Sequence, residues 1–247
     1  MDIYHSREEP DLATTSATVH DIQQLSGNVW RVHLKPLSKY PFKAGQYTEL
    51  VIEGFSYLYF TIASSPKQPC IELHIQGGSE TSDNLIAYLQ REDTVELNPA
   101  SGNCSLDKLA ESNSPLLLIA SGTGFAQVKA IVEDLIHQRS KRPTYIYWTS
   151  YNLSHLYMLK KAEQWAEDFT NIHTTALISE QSHWDDKHKL LVHGIFADHE
   201  DDLAQCQAVT CGSPEMVYAV YDMLTAKGFK ADHMISDVFD FAPRESK

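Results

Sequence analysis

The residues of this chain best suited to chemistry are two glycine-bearing turns, each at the end of an apolar run. The first is Leu117-Leu118-Ile119-Ala120-Ser121-Gly122-Thr123-Gly124-Phe125, strand-like residues that pass through glycines into a helix. Glycine at such a place lets backbone approach a phosphate, and the helix start offers free N–H donors at the positive end of its dipole. The second, Val209-Thr210-Cys211-Gly212-Ser213-Pro214-Glu215-Met216, repeats the arrangement at a later strand end. Either alone reads equally as a tight strand-to-helix turn, and Gln127 stands where a G-x-G-x-x-G turn has its third glycine. Two such turns at the carboxyl ends of strands in one parallel sheet imply a ligand lying across both.

An alternation of strand and helix must hold those turns. Beyond Pro115 it runs Leu116 to Ala120, a helix from about Phe125 to Gln138, Tyr145 to Trp148, a helix from about Ser154 to Trp165, and Thr174 to Ile178. A short helix near Leu190 to Phe196, a strand from Ala208 to Cys211, a helix from Pro214 to Ala226 and a last strand near Asp237 to Phe241 complete it. Apolar strands with helices between them belong to a parallel sheet covered on both faces. The first half has another rhythm. After a polar, frayed start, short segments alternate at strand period: Thr18 to Ile22, Val29 to Leu34, Tyr47 to Ile52, Tyr57 to Ile62 and Ile71 to Ile75. A helix capped by Ser82 or Asp83 then leads to Thr94 to Leu97. Turns such as Ser26-Gly27-Asn28 between these segments point to a small antiparallel barrel. The polar stretch Ala110 to Pro115 divides the halves. The expected fold class is two-domain β plus α/β, an antiparallel β-barrel at 1–110 followed by a parallel-sheet α/β domain at 111–247.

Composition narrows the function. The 247 residues suffice for two cores. With 20 Lys plus Arg against 33 Asp plus Glu, nucleic acid and membrane surfaces are not expected as partners, because both bind through basic surface. The longest apolar runs are too short to cross a bilayer, and MDIYHSREEP has neither a basic n-region nor an apolar h-region, so a cytoplasmic protein is expected. Cys70, Cys104, Cys206 and Cys211 form no CxxC pair, and His183, His188 and His193 share no helical face. These histidines read as surface residues, and no metal site is expected.

Set beside the first half, the glycine turns complete a resemblance to a known family. Phe42-Lys43-Ala44-Gly45-Gln46-Tyr47 resembles the F-x-A-G-Q-Y segment of the ferredoxin-NADP reductase superfamily, and Tyr59-Phe60-Thr61-Ile62-Ala63-Ser64-Ser65-Pro66 resembles its flavin-binding strand. Ile71 to Ile75 resembles the next strand, Ser121-Gly122-Thr123-Gly124 its GGTG-like turn, and Cys211 to Met216 its CGxxxM-like turn. With Ile146-Tyr147-Trp148, His155-Leu156-Tyr157 and the closing Asp237 to Phe241, the likeness spans about residues 17 to 241 and is greatest to small bacterial NAD(P)H:flavin oxidoreductases.

This resemblance implies a flavin-binding barrel, an NAD(P)-binding α/β domain, and hydride transfer from NAD(P)H to flavin. Tyr59, Phe60, Thr61, Ile62, Ala63 and Ser64 would line the isoalloxazine, with Thr61 catalytic at the family's Ser position. His74 and Ile75 would lie against the flavin. Gly122, Thr123, Gly124, Gly212 and Met216 would border the nicotinamide nucleotide, Phe239 would add a cofactor contact, and Cys211 would be catalytic beside the nicotinamide. On the residues alone, Thr61 is equally a strand former, Tyr59 and Phe60 core aromatics, and Cys211 a small apolar residue.

Departures from the family pattern bear on the flavin. Leu58 and Tyr151 stand where many relatives carry Arg, and neither replaces a guanidinium on phosphate. Asp83 in the first turn of the helix at Ser82 would repel phosphate. The resemblance therefore implies a flavin reductase with loosely held FAD or FMN, used as substrate. The alternatives are a reductase component that retains its flavin for a protein electron acceptor, and a non-catalytic relative. The acidic loop Ser179-Glu180-Gln181, with Lys187 and Lys189 its nearest cations, favours NADH over NADPH.

Overall fold

The computed structural model describes residues 14–178 and 184–244, those from 184 to 190 by backbone alone. The expectations for the frayed start up to residue 13, for Ser179-Glu180-Gln181, and for the side chains of His183, Lys187, His188 and Lys189 fall outside the described residues.

Strands β1 (Thr15–Gln24), β2 (Val29–Pro36), β3 (Tyr47–Val51), β4 (Tyr59–Thr61), β5 (Ile71–Gln76) and β6 (Thr94–Leu97) form an antiparallel sheet in the order β4-β3-β6-β1-β2-β5. Helix α1 (Glu80–Arg91) connects β5 to β6. The two outermost strands meet through an Ile62–Leu73 bridge and an Ala63 N–H bonded to the Glu72 carbonyl at 2.7 Å, so the sheet curls into a barrel without free edges at that seam. Val32, Leu34, Leu50, Leu73, Ile75 and Leu97 fill it. The alternation over Tyr57 to Ile62 overstates β4. Gly54 (φ +83°) and Tyr57 (φ +59°) are in left-handed conformations that end the pairing before Tyr59. The cap of α1 is Ser79, not Ser82 or Asp83. Ser82 closes a capping box with Ser79, and Asp83 accepts the Gly78 N–H at 2.8 Å.

The second sheet is parallel: β7 (Leu116–Ser121), β8 (Thr144–Ser150), β9 (Ile172–Ile178), β10 (Gln207–Cys211) and β11 (Met234–Ile235), in the order β11-β10-β7-β8-β9. Its helices are α2 (Phe125–His137), α3 (Leu159–Asp168), α4 (Trp184–Asp198), α5 (Pro214–Ala226) and the short α6 (Val238–Phe241). Because side chains alternate along a strand, Leu116, Leu118 and Ala120 pack toward α2 and α3, while Leu117 and Ile119 pack toward α4 and α5. Burial on both faces explains why β7 is apolar throughout.

Other boundaries differ from the sequence reading. A single 3₁₀ turn (Leu153–His155) precedes α3, which starts only at Leu159, and α4 is longer than the apolar pattern indicated. The closing Asp237 to Phe241 is not a strand. Phe241 N–H bonds to the Asp237 carbonyl at 3.1 Å, which closes a helical turn, and the fifth strand is the preceding Met234–Ile235. No helix among the described residues is long and apolar enough to cross a membrane.

Candidate active site

Going out from β7, the chain places β8 and β9 on one side and β10 and β11 on the other. The point where the strand order reverses therefore lies between β7 and β10, where open parallel sheets bind ligands. Both glycine turns open there, with Ala120 and Cys211 in register. A cleft of about 540 Å³ occupies this point, within the range of small-molecule sites. Its barrel wall is Tyr59, Phe60, Thr61, His74, Ile75 and the start of α1; its other wall is Ser121, Thr123, Gly124, Thr210, Cys211 and Gly212. Asp237 and Phe241 line it as well.

The remaining expected residues sit behind these walls. Ile62 and Ala63 are fully buried in the barrel, and the Ser64 hydroxyl accepts the Glu72 N–H at 3.1 Å. Met216 supports Gly212 from beneath, its methyl occupying the space a side chain at 212 would need. Gly122 (φ +53°) turns the backbone while its carbonyl accepts the Trp148 indole N–H at 3.0 Å. A Cβ on Gly124 would lie 2.5 Å from the Cys211 carbonyl, so protein-to-protein contact, rather than approach to phosphate, demands glycine there. Phe239 packs on Tyr218 and Tyr221, away from the cleft. In a strand Phe239 and Phe241 would share a face; at about 100° per residue a helix separates them, and Phe241 takes the cleft.

Among the helix starts that border the cleft, those of α1, α2 and α5 differ in what they offer. In α1 the capping box pairs the Ser82 and Ser79 N–H groups, and in α5 the Ser213 hydroxyl accepts the Met216 N–H with Pro214 in the first turn. No side chain caps α2 after its glycine turn. That start keeps donors for an anionic ligand.

Sequence reasoning missed Asp237 as a cleft group. Burial pushes its carboxyl above the ordinary value, against hydrogen bonds from Gln127 and Asn103 that favour the charged form. Gln127, at the absent third glycine, donates to the Gly45 carbonyl at 2.6 Å and to Asp237 at 2.9 Å, and so ties the two halves together. Burial, and then the nearby Asp237, push the Cys211 thiol well above its ordinary value, so it stays protonated and is no nucleophile. Asp237 lay within a motif visible in the sequence, but its strand-like pattern gave no sign of a carboxyl turned inward.

Leu58 packs on the barrel core while also lining the cleft, so an Arg at this position would border the ligand space but place its stem against apolar surroundings. Tyr151 is exposed at the end of β8. At the opposite end of β10 from the cleft, His199, Asp202 and Cys206 bring donor atoms within 4.8 Å, and His199 Nδ1 is 3.1 Å from the Asp202 carboxylate.

An antiparallel barrel joined to a five-stranded parallel sheet, with a cleft at the switch point, is a two-part fold of the ferredoxin-NADP reductase type. Residues 118–222 match the family described as Oxidoreductase NAD-binding domain. The chain is 31% identical to an NAD(P)H-flavin reductase from Vibrio harveyi, over 92% of this chain and 99% of the relative. It is 28% identical to an NAD(P)H-flavin reductase from Aliivibrio fischeri, over 90% of this chain and 97% of the relative. A Neisseria gonorrhoeae ferredoxin NADP+ reductase, solved with bound FAD and NADP, shares the fold with a TM-score of 0.74 at 17% identity, over 90% of this chain and 97% of that one. The chain belongs to the NAD(P)H-flavin reductase family.

Proposed function

We propose that this protein transfers a hydride from C4 of NAD(P)H to N5 of a flavin that it takes as a loosely held substrate. The observation that carries this reading is the facing of β4 and the uncapped glycine start of α2 across one cleft at the switch point. The ligands supply the redox chemistry, and the chain aligns two rings and excludes water. Thr61 offers a hydroxyl to the flavin, Cys211 an uncharged surface beside the nicotinamide, and Asp237 a carboxylate that favours the positive ring left after hydride departs. The reading assigns the flavin to residues 1–110 and the nucleotide to 111–247, in a cytoplasmic setting, with NADH favoured.

The α1 end of the cleft supports loose binding. Ser56, Ser79, Thr81 and Ser82 line it with hydroxyls and, among the described residues, no cation, so a flavin phosphate gains little there. NADH oxidation should therefore accelerate with riboflavin and FMN to similar extents, and purified protein should be colourless. No acceleration by riboflavin, FMN or FAD would sink the reading. Thr61→Ala should lower the single-turnover rate while costing about 0.5–1.5 kcal/mol in stability; an unchanged rate reduces Thr61 to packing. A second reading, electron delivery to a protein acceptor, is favoured by the exposed rings of Tyr57, Tyr59 and Phe241 at the mouth. Yellow protein with tightly retained flavin would support it.

A further inference from the structure

We propose that His74 and Tyr157 form a strut that sets the spacing between the two walls of the cleft, which makes both of them positioning residues for hydride transfer. The inference rests on the flavin-reduction reading above. In sequence, His74 is the polar member of an alternating strand. In the structure the polar face of β5 is covered by the α/β half, and Glu72, His74 and Lys129 are all buried. Groups of this kind persist inside a protein only when their partners are well placed.

The partners form one connected path. Lys129, from α2, donates to the Ala63 carbonyl at 3.1 Å and to Glu72 at 2.9 Å, with Glu133 at 3.0 Å completing its shell. The other Glu72 oxygen lies 2.7 Å from His74 Nε2, and His74 Nδ1 lies 2.9 Å from the Tyr157 hydroxyl. Burial holds His74 below its ordinary value, and hydrogen bonds from His33 and His74, with the Lys129 charge, outweigh the burial that would raise Glu72. A carboxylate only accepts, so the single ring proton of His74 sits on Nε2. Nδ1 must then accept from Tyr157.

Beyond that bond the path reaches the nucleotide wall. The Tyr157 ring stands edge-on to Trp148 (centroids 5.4 Å apart) and Phe125 (6.3 Å), which stack on each other at 3.8 Å. Trp148 holds the Gly122 carbonyl, and Phe125 follows Gly124 directly. One end of the strut is therefore the strand that carries Ile75 into the cleft, and the other is the glycine turn. Hydride transfer requires the reacting atoms about 3–3.5 Å apart, so it is sensitive to the separation of these walls. A second bond between the halves, Ser65 to Asp134 at 3.1 Å, touches no residue lining the cleft and serves as a control.

The test is anaerobic stopped-flow reduction of riboflavin by NADH and by NADH deuterated at C4, with native protein, Tyr157→Phe and Ser65→Ala. Tyr157→Phe keeps the ring packing and removes one hydroxyl. Its hydride-transfer rate should fall on the order of 10-fold, below the ~10²-fold that a 1 Å misplacement can cost. Its isotope effect should become more temperature-dependent, with KM for NADH and Kd for riboflavin nearly unchanged. Ser65→Ala should match the native protein in all of these. Lys129→Arg should retain more of the rate than Lys129→Met at equal folded fraction, which keeps the test decisive if Tyr157→Phe is poorly folded. Native rate and isotope effect in Tyr157→Phe, or equal losses in Ser65→Ala, overturn the strut. A native protein that reduces no flavin overturns the reading beneath it, and the strut with it.

Discussion

Helices α1 and α2 both start at the same cleft, yet only α1 is capped by its own side chains. In α1, Ser79 and Ser82 satisfy each other's backbone, Asp83 takes the Gly78 N–H, and Glu80 adds negative charge to the first turn. In α2 a glycine turn leads in with no side-chain cap. The two starts differ in side chains and in backbone, since α1 follows an extended Ser79 while α2 continues out of the helical turn Gly122–Gly124. A helix start is an anion site only where its own side chains leave it open.

The comparison breaks most completely if α2 loses its hold on the barrel. Glu72→Gln removes the carboxylate that Lys129 and His74 share, leaves Lys129 paired with Glu133 alone, and should cost up to about 3–5 kcal/mol, read by denaturant melts at neutral pH. Glu72 sits below its ordinary value of 4.5 in the fold, so its contribution is complete above that pH and is lost as pH falls further. The stability gap between native and Glu72→Gln protein must therefore narrow below about pH 4.5; a constant gap would mean that Glu72 acts by shape alone.

Gly124→Ala comes next. Its methyl meets the Cys211 carbonyl at 2.5 Å and should cost about 1–3 kcal/mol, with KM for NADH raised and riboflavin affinity retained. A folded variant with native KM would remove α2 from the nucleotide site. Ser79→Ala should cost about 0.5–2 kcal/mol as a lost cap. Combined with Asp83→Asn, it opens α1 and should improve FMN relative to riboflavin. If that ratio does not move, the closed cap is not what makes the flavin end indifferent to phosphate. The smallest effect is in native protein: added salt should raise KM for NADH and leave that for riboflavin almost unchanged, because only the former carries phosphate charge to be screened.

Much of this was legible along the chain. The two rhythms, the central apolar β7 and the two glycine turns are local features, and local backbone preference and side-chain periodicity report them directly. Segments with two local readings were misread. Val238-Phe239-Asp240-Phe241 alternates like a strand but closes a turn on Asp237, which sends Phe241 rather than Phe239 into the cleft. The short β4 had the same cause, since the left-handed backbone at Tyr57 leaves no mark on the hydrophobic pattern.

What the sequence by itself determined is the class of fold and the places where backbone can meet a nucleotide, because both follow from residues a few positions apart. The tertiary structure alone decided which way side chains face. Leu58 turns into the barrel, Asp237 into the cleft, and His74 away from water toward Tyr157, 83 positions along the chain. Gln127 joins Gly45 to Asp237 for the same reason. Such partnerships depend on how two separately patterned halves dock, and docking brings together residues whose spacing in the chain carries no information about their contact.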